Sequence, residues 1–122
     1  MPRARPDPND FLPLRPLDLH VLVALSERDR HGYGIVQTVA ERSDDKIRLA
    51  PGNLYPVLRR LTEAGLIRDD GERLAEDLEH KQRRYYAITD LGRRVAAAEA
   101  LRLRSLLRER PVRDLLKDWA GG

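Results

Sequence analysis

Residues 50–66, APGNLYPVLRRLTEAGL, form the most informative stretch of this 122-residue chain. At the helical period Leu54, Leu58 and Leu61 share one face, and Val57 widens it, so this face is expected to be buried. The opposite face carries side-chain types that contact bases and phosphates in a DNA groove. It comprises Gly52, Asn53, Tyr55, Pro56, Arg59, Arg60 and Glu63. For an isolated helix, a merely solvated polar face is the simpler interpretation, so the flanking sequence has to decide.

The start of this predicted helix is ambiguous. Pro51 suits a first helical position, whereas Asn53 as N-cap would place Pro56 at the third position, where a missing N–H has no effect. Either the helix begins near Asn53, or its first turn is distorted. Gly65 is expected to end it.

Two helices are predicted before this stretch. Residues 17–25 are apolar on nearly all sides, so they need cover from more than one direction, and a second copy of the chain would supply it. Apolar residues between positions 33 and 40 recur at the helical period. Residues 47–49 alternate as a short strand at most, and residues 1–16, with five prolines, are interpreted as a flexible arm.

Two strands and two helices are predicted after it. Residues 66–73 and 83–89 are expected to pair as a wing, and Thr89 is a good N-cap for a long helix. The apolar face of that helix rotates along its length, so its first half should pack on its own domain and its second half on something else. Pro111 should end or kink it, and a short final helix carries Trp119, the only tryptophan.

Charge is segregated along the chain although the net charge is only +3. Residues 69–79 hold six acids and one arginine, whereas residues 93–113 hold seven arginines and two glutamates. Such segregation favours a basic stripe on a nearly balanced protein. Because DNA would repel the acids of the wing, they are expected to face away from a bound duplex.

An enzyme is the competing class, and the sequence does not favour it. There is no cysteine, the three histidines are scattered without a metal-ligand spacing, and no glycine-rich phosphate loop occurs. No metal or cofactor is therefore expected. The chain has no long apolar run and no amino-terminal signal, so we expect no membrane association and a cytoplasmic location.

Three motifs in order, HGYGI at 31–35, PGNLYPVLRRLTEAGLI at 51–67 and RRYYAITDLG at 83–92, resemble the PadR family of winged-helix transcriptional regulators. The resemblance covers about residues 17–107 and is closest to the short branch with a single long carboxy-terminal helix. It implies a mainly α fold with a small β wing. The implied divisions are a flexible arm (1–16), a winged helix-turn-helix DNA-binding domain (17–92), and a dimerisation helix with a short tail helix (89–122).

The resemblance also implies roles for individual residues. Those expected to contact DNA are Asn53, Tyr55, Pro56, Arg59 and Arg60 on the recognition helix, and Lys81 and Arg83 on the wing. Those expected to form the dimer are Leu19, Val23, Leu103, Leu106 and Leu107. Three departures from the family pattern stand out: Asn53 replaces a threonine or serine, Ala50 cannot cap the helix, and the wing tip LEHKQ lacks glycine and proline.

The implied function is a homodimeric repressor that binds double-stranded DNA at a palindromic operator and is released by a small aromatic or hydrophobic effector. Trp119 would border the effector pocket between subunits; the alternative is that it only anchors the tail onto the dimer helices. Tyr55 is expected to pack partly in the core or to donate to a phosphate. The alternative function is a winged helix that binds protein partners without specific DNA binding.

Overall fold

The computed structural model describes residues 5–76 and 79–120. A 3-10 helix (Pro8–Phe11) precedes five α-helices and three strands. The helices are α1 (Pro16–Glu27), α2 (Gly32–Arg42), α3 (Pro51–Glu63), α4 (Asp90–Arg108) and α5 (Arg110–Ala120); the strands are β1 (Arg30–His31), β2 (Ile67–Leu74) and β3 (Gln82–Ile88). The first four residues of the predicted arm, positions 77–78 near the wing tip and the last two glycines lie outside the described residues. The predicted mainly α fold with a small β wing is confirmed.

The sheet is antiparallel in the order β1-β3-β2. The predicted pairing of β2 with β3 is confirmed, with Ile67 opposite Ile88 and Leu74 opposite Gln82. Strand β1 was not anticipated, since two residues carry no alternation signal. The predicted strand over residues 47–49 is wrong, because Leu49 is buried in the helical core and no strand forms there.

Helix α3 begins at Pro51 with Ala50 as N-cap, so of the two starts left open by the sequence the one with Asn53 as N-cap does not occur. The Asn53 side chain instead reaches back, and its Oδ1 accepts the Ala50 N–H at 2.7 Å. This contact supplies part of the cap that alanine itself lacks. At the other end, Gly65 has φ +78°, and the Leu66 N–H donates to the Leu61 carbonyl at 2.9 Å, as in a Schellman motif.

One hydrophobic core joins α1, α2, α3, the sheet and the first half of α4. The apolar face predicted for α3 is confirmed, since its four residues are all at least 96% buried. The buried members of the core are Val21, Leu22, Ala24, Leu25, Ile35, Val39, Leu49, Leu54, Val57, Leu58, Leu61, Leu66, Ile67, Ile88 and Val95. The apolar face of α3 is therefore held in a core shared with α1, α2, the sheet and the first half of α4.

Helix α4 docks closely on the turn after α3. Thr89 caps α4 as predicted, because its Oγ1 accepts the Gly92 N–H at 3.0 Å. A Cβ at Gly92 would lie 2.0 Å from the Leu66 carbonyl oxygen, so only glycine allows this approach. The prediction that only the first half of α4 packs on its own domain is also confirmed, because all of the buried residues of α4 lie in its first ten positions. The predicted break near Pro111 occurs at Glu109, which has extended backbone.

The expectation of a flexible amino-terminal arm does not hold for residues 8–14. The 3-10 helix packs against α4, and Phe11, Leu12 and Leu14 lie partly buried against the core. The Leu14 N–H donates to Glu99 Oε2 at 2.6 Å. Proline-rich composition suggested disorder, but these apolar side chains cover α4, and prolines lower the entropy lost when the segment is ordered.

Candidate nucleic-acid interface

The exposed face of α3 presents three of the predicted DNA contacts to solvent. Tyr55 is 57% exposed and is not among the residues that form the core or pack against it. Arg59 is exposed one turn later, and within the described part of the chain its guanidinium has no carboxylate partner. Pro56 lies on the same exposed side. Tyr55 and Arg59 are therefore exposed on one side of α3, where a ligand could reach both.

Arg60 has a different environment from its neighbour. Its guanidinium lies 2.5 Å from Oδ1 of Asp18 and donates from Nε to Oδ2 at 3.4 Å. Asp18 is 6% exposed on α1, so the pair joins the first helix to the recognition helix. The prediction treated Arg60 as a DNA contact and missed Asp18. Asp18 is the one acid among the largely apolar residues 17–25, and this was the available signal for a buried ion pair.

A cleft of about 570 Å³ lies between the recognition helix, the start of α2 and the wing. Its lining residues are His31, Gly32, Tyr33, Val36, Leu49, Pro51, Leu54, Tyr55, Gln82, Arg83, Arg84 and Tyr86. His31 shapes the start of α2, because its Nδ1 accepts the Gly34 N–H at 3.0 Å. Cationic and aromatic side chains thus flank the space between the two elements that a winged helix places against DNA.

The two predicted wing cations are both close to Glu79. Arg83 donates to its Oε2 at 2.8 Å, and the Lys81 Nζ lies 3.3 Å away from the same oxygen. Arg83 also lies over the Tyr33 ring, 5.3 Å from the centroid, so it connects the wing to α2. Lys81 is the more accessible of the two, with 69% of its side chain exposed.

Arg84 faces the cleft and was not among the predicted contacts. It donates to both oxygens of Asp69, at 3.0 and 2.8 Å, and lies 3.5 Å from Glu72. These neighbours raise the pKa of Arg84, with the Asp69 hydrogen bond as the largest cause. The Gly71 N–H and then Arg84 hold the pKa of Asp69 below its usual range. Arg84 is therefore a wing cation whose charge is neutralised internally.

The expectation that the wing acids all face away from the interface is wrong for Asp69. A groove of about 440 Å³ runs beside α3, and Asp69 shares its lining with Tyr55, Arg59 and Tyr86. Asp69 lies directly opposite Tyr86 in the β2–β3 ladder, so both side chains point toward α3. Burial raises the pKa of Tyr86, which packs against the core at the floor of this groove.

The predicted dimer residues are partly or largely exposed in the single chain. Val23 is 41% exposed, Leu106 44% and Leu107 54%, while Leu19 and Leu103 are half-buried. Helix α5 carries further exposed leucines, and Trp119 near its end is 79% exposed. The four cavities described are all lined by residues preceding position 87, so Trp119 borders none of them.

The described ranges 5–76 and 79–120 contain neither of two further kinds of feature. No cluster of three or more potential metal ligands occurs in them. None of their helices is long and apolar enough to cross a membrane.

Comparison with known proteins agrees with this geometry. Residues 21–98 match the model of the transcriptional regulator PadR-like family. The transcriptional regulator Rv3488 of Mycobacterium tuberculosis is 33% identical over 91 residues, which cover 75% of this chain and 78% of that protein. A Streptococcus transcriptional regulator superposes with a TM-score of 0.62 at 28% identity, covering 74% of this chain and 83% of that one.

A third similar structure is that of Bacillus subtilis PadR in complex with operator DNA. It has a TM-score of 0.59 at 23% identity, and the match covers 80% of this chain and 50% of that one. At this identity the likeness concerns the fold alone. The family match, in contrast, spans the helix-turn-helix, the wing and the first half of α4. The chain thus belongs to the PadR-like family of transcriptional regulators, not to a family of enzymes.

Proposed function

We propose that this regulator binds double-stranded DNA sequence-specifically through α3 and the wing. The observation that carries the proposal is the exposed face of α3: Tyr55 borders the cleft flanked by Arg83 and Arg84, and Arg59 lines the adjoining groove. A helix of this width fits the major groove, and an arginine can donate two hydrogen bonds to guanine. The B. subtilis structure with operator DNA supports this use of the fold.

We further propose a homodimer that represses transcription at a palindromic operator in the cytoplasm. Exposed leucines on α4 and α5 form an apolar surface that a second copy would cover. A two-fold dimer presents two recognition helices, so its operator should contain two half-sites related by symmetry. Selection of bound duplexes from a random library tests both points. A palindrome with half-sites about one helical turn apart is expected.

The competing function is a winged helix that binds only protein partners. Titration of duplex DNA at several salt concentrations separates the two, since each phosphate contact adds about 0.9 to the slope of log affinity against log salt. A steep slope together with a selected palindrome supports the proposal. Weak binding with no sequence preference would favour the protein-binding alternative.

Release by a small aromatic or hydrophobic effector is proposed at the carboxy-terminal end. Trp119 is highly exposed in the single chain and continues the apolar surface of α5, so a dimer would enclose it near the subunit boundary. As the only tryptophan, it reports directly on this region through its fluorescence. Saturable quenching by a compound that also releases DNA is expected. Release of DNA without any change in Trp119 fluorescence would place the effector elsewhere.

A further inference from the structure

A bulge in β2 brings two carboxylates onto one face of the wing. Asp69 lies opposite Tyr86 and Glu72 opposite Arg84, so β2 advances three residues while β3 advances two. Side chains three positions apart in a regular strand point to opposite faces, and the extra residue restores them to the same face. Gly71 occupies the bulge with φ +84°, a conformation that glycine adopts without strain.

Both carboxylates reach the Arg84 guanidinium. Asp69 accepts at 3.0 and 2.8 Å, and Glu72 lies at 3.5 Å. The Gly71 N–H donates to Asp69 Oδ1 at 2.9 Å and fixes the direction of that carboxylate. Gly71 thus has two roles in the bulge: its positive φ places Asp69 and Glu72 on the same face, and its N–H holds the Asp69 carboxylate toward Arg84.

The position of this cluster matters because it faces the recognition helix. Arg84 lines the cleft that Tyr55 and Leu54 border from α3, and Asp69 lines the adjoining groove with Arg59. A duplex that received α3 in its groove would bring a backbone phosphate toward this side of the wing. The phosphate would need the same N–H donors that the carboxylates occupy, and both carboxylates would repel it.

We propose that Asp69 and Glu72 act as phosphate surrogates that occupy Arg84 in the free protein and thereby weaken its sequence-independent binding to DNA. This inference rests on the proposed function, because it assumes that the wing approaches a duplex. Phosphate contacts supply essentially all of the affinity for unrelated DNA. A neutralised wing arginine therefore limits the time the protein spends on non-operator sequence.

The test measures binding of the full chain to a random-sequence duplex at several salt concentrations. The variant Asp69→Asn/Glu72→Gln keeps side-chain size and an oxygen for the Gly71 N–H, but frees Arg84 for phosphate. We expect it to bind about three- to tenfold more tightly than the parent, the range that one exposed ion pair and one repulsion produce. The slope of log affinity against log salt should steepen by about one.

Asp70→Asn/Glu76→Gln is the matched control. It removes the same two negative charges from the wing, but the Asp70 carboxylate is directed to Arg68, 3.6 Å away, and Glu76 lines a separate cavity beside Arg73. In an Arg84→Gln background, the gain from the first double variant should fall to the level of this control. Circular dichroism melting verifies that all variants keep the fold.

An Asp69→Asn/Glu72→Gln protein that binds random duplex no tighter than Asp70→Asn/Glu76→Gln would overturn the inference, and so would a full gain in the Arg84→Gln background. In either case salt-dependent duplex binding by the parent would leave the proposed function standing. A parent without such binding would contradict the proposed function, and the inference would fail with it.

Discussion

Arg59 and Arg60 are adjacent in sequence but differ in what they contact. Arg59 is exposed on the groove side of α3, while Arg60 is directed to Asp18 of α1. We expect Arg59→Ala to weaken binding to the selected operator by about 1–3 kcal/mol, the value of a good arginine–guanine contact. Binding to random duplex should change much less. Equal losses on both DNAs in parallel titrations would contradict base reading and identify Arg59 as a phosphate contact.

Arg60 is expected to act mainly on stability. Arg60→Ala leaves the Asp18 carboxylate buried without its cation, so the free energy of unfolding should fall by about 1–3 kcal/mol. Urea denaturation measures this loss. Asp18→Ala/Arg60→Ala should recover part of it, because no unpaired buried charge remains. If Arg60→Ala left the free energy of unfolding unchanged but greatly weakened DNA binding, Arg60 would be a DNA contact, as the sequence predicted.

At the scale of elements, Glu99 joins the amino-terminal segment to α4. It is 1% exposed, accepts the Leu14 N–H and is paired with Arg102. The hydrogen bond from Arg102 is the largest cause that holds the pKa of Glu99 below the ordinary glutamate value of 4.5. Because the pKa of Glu99 is lower in the folded state, its ionised carboxylate stabilises the fold at every pH above the unfolded-state pKa. This stabilisation is lost as the pH falls below about 4.5 and the carboxylate becomes protonated.

Glu99→Gln should therefore lower the free energy of unfolding at pH 7, by about 1–2 kcal/mol for charge-assisted hydrogen bonds of a buried group. The difference from the parent should shrink as the pH is lowered through the region below about 4.5. Denaturant titrations at a series of pH values provide the measurement. Asp114→Asn, which removes an exposed carboxylate of α5, is the control and should change stability little. A pH-independent difference would show that the charge of Glu99 is not what stabilises the contact.

At the scale of the whole molecule, the uncovered apolar surface of α4 and α5 predicts self-association. Leu106→Glu/Leu107→Glu changes residues that are about half exposed in the protomer, so the protomer should fold while the dimer dissociates. Sedimentation equilibrium should show a monomer. Operator affinity should fall about 100-fold or more, because the two half-sites would no longer be bound together.

Ala97→Glu is a suitable control, since it adds a charge to an exposed position in the first half of α4. It should leave the oligomeric state unchanged. A doubly substituted protein that still sediments as a dimer would exclude this surface as the interface.

The main helices could be predicted from the sequence because short-range features, such as apolar periodicity and capping residues, determine where each one lies. The leucine period predicted the buried face of α3, Thr89 predicted the start of α4, and Gly65 predicted the end of α3. Residues 8–14 and 47–49 were misjudged, since proline content and a short alternation say nothing about the apolar surface available for packing. The motifs that resemble the PadR family indicated the fold before any contact was known, and the family match confirms it.

The sequence by itself determined the amphipathic recognition helix, the wing pair and the segregation of charge, because these depend on the period and order of side chains along the chain. Only the tertiary structure decided that Arg60 pairs with Asp18, 42 residues away, and that Arg84 lies between Asp69 and Glu72. The first is a contact between distant segments, and the second depends on a bulge that changes which face a side chain occupies. Neither helical period nor strand alternation contains that information, since both describe one element at a time.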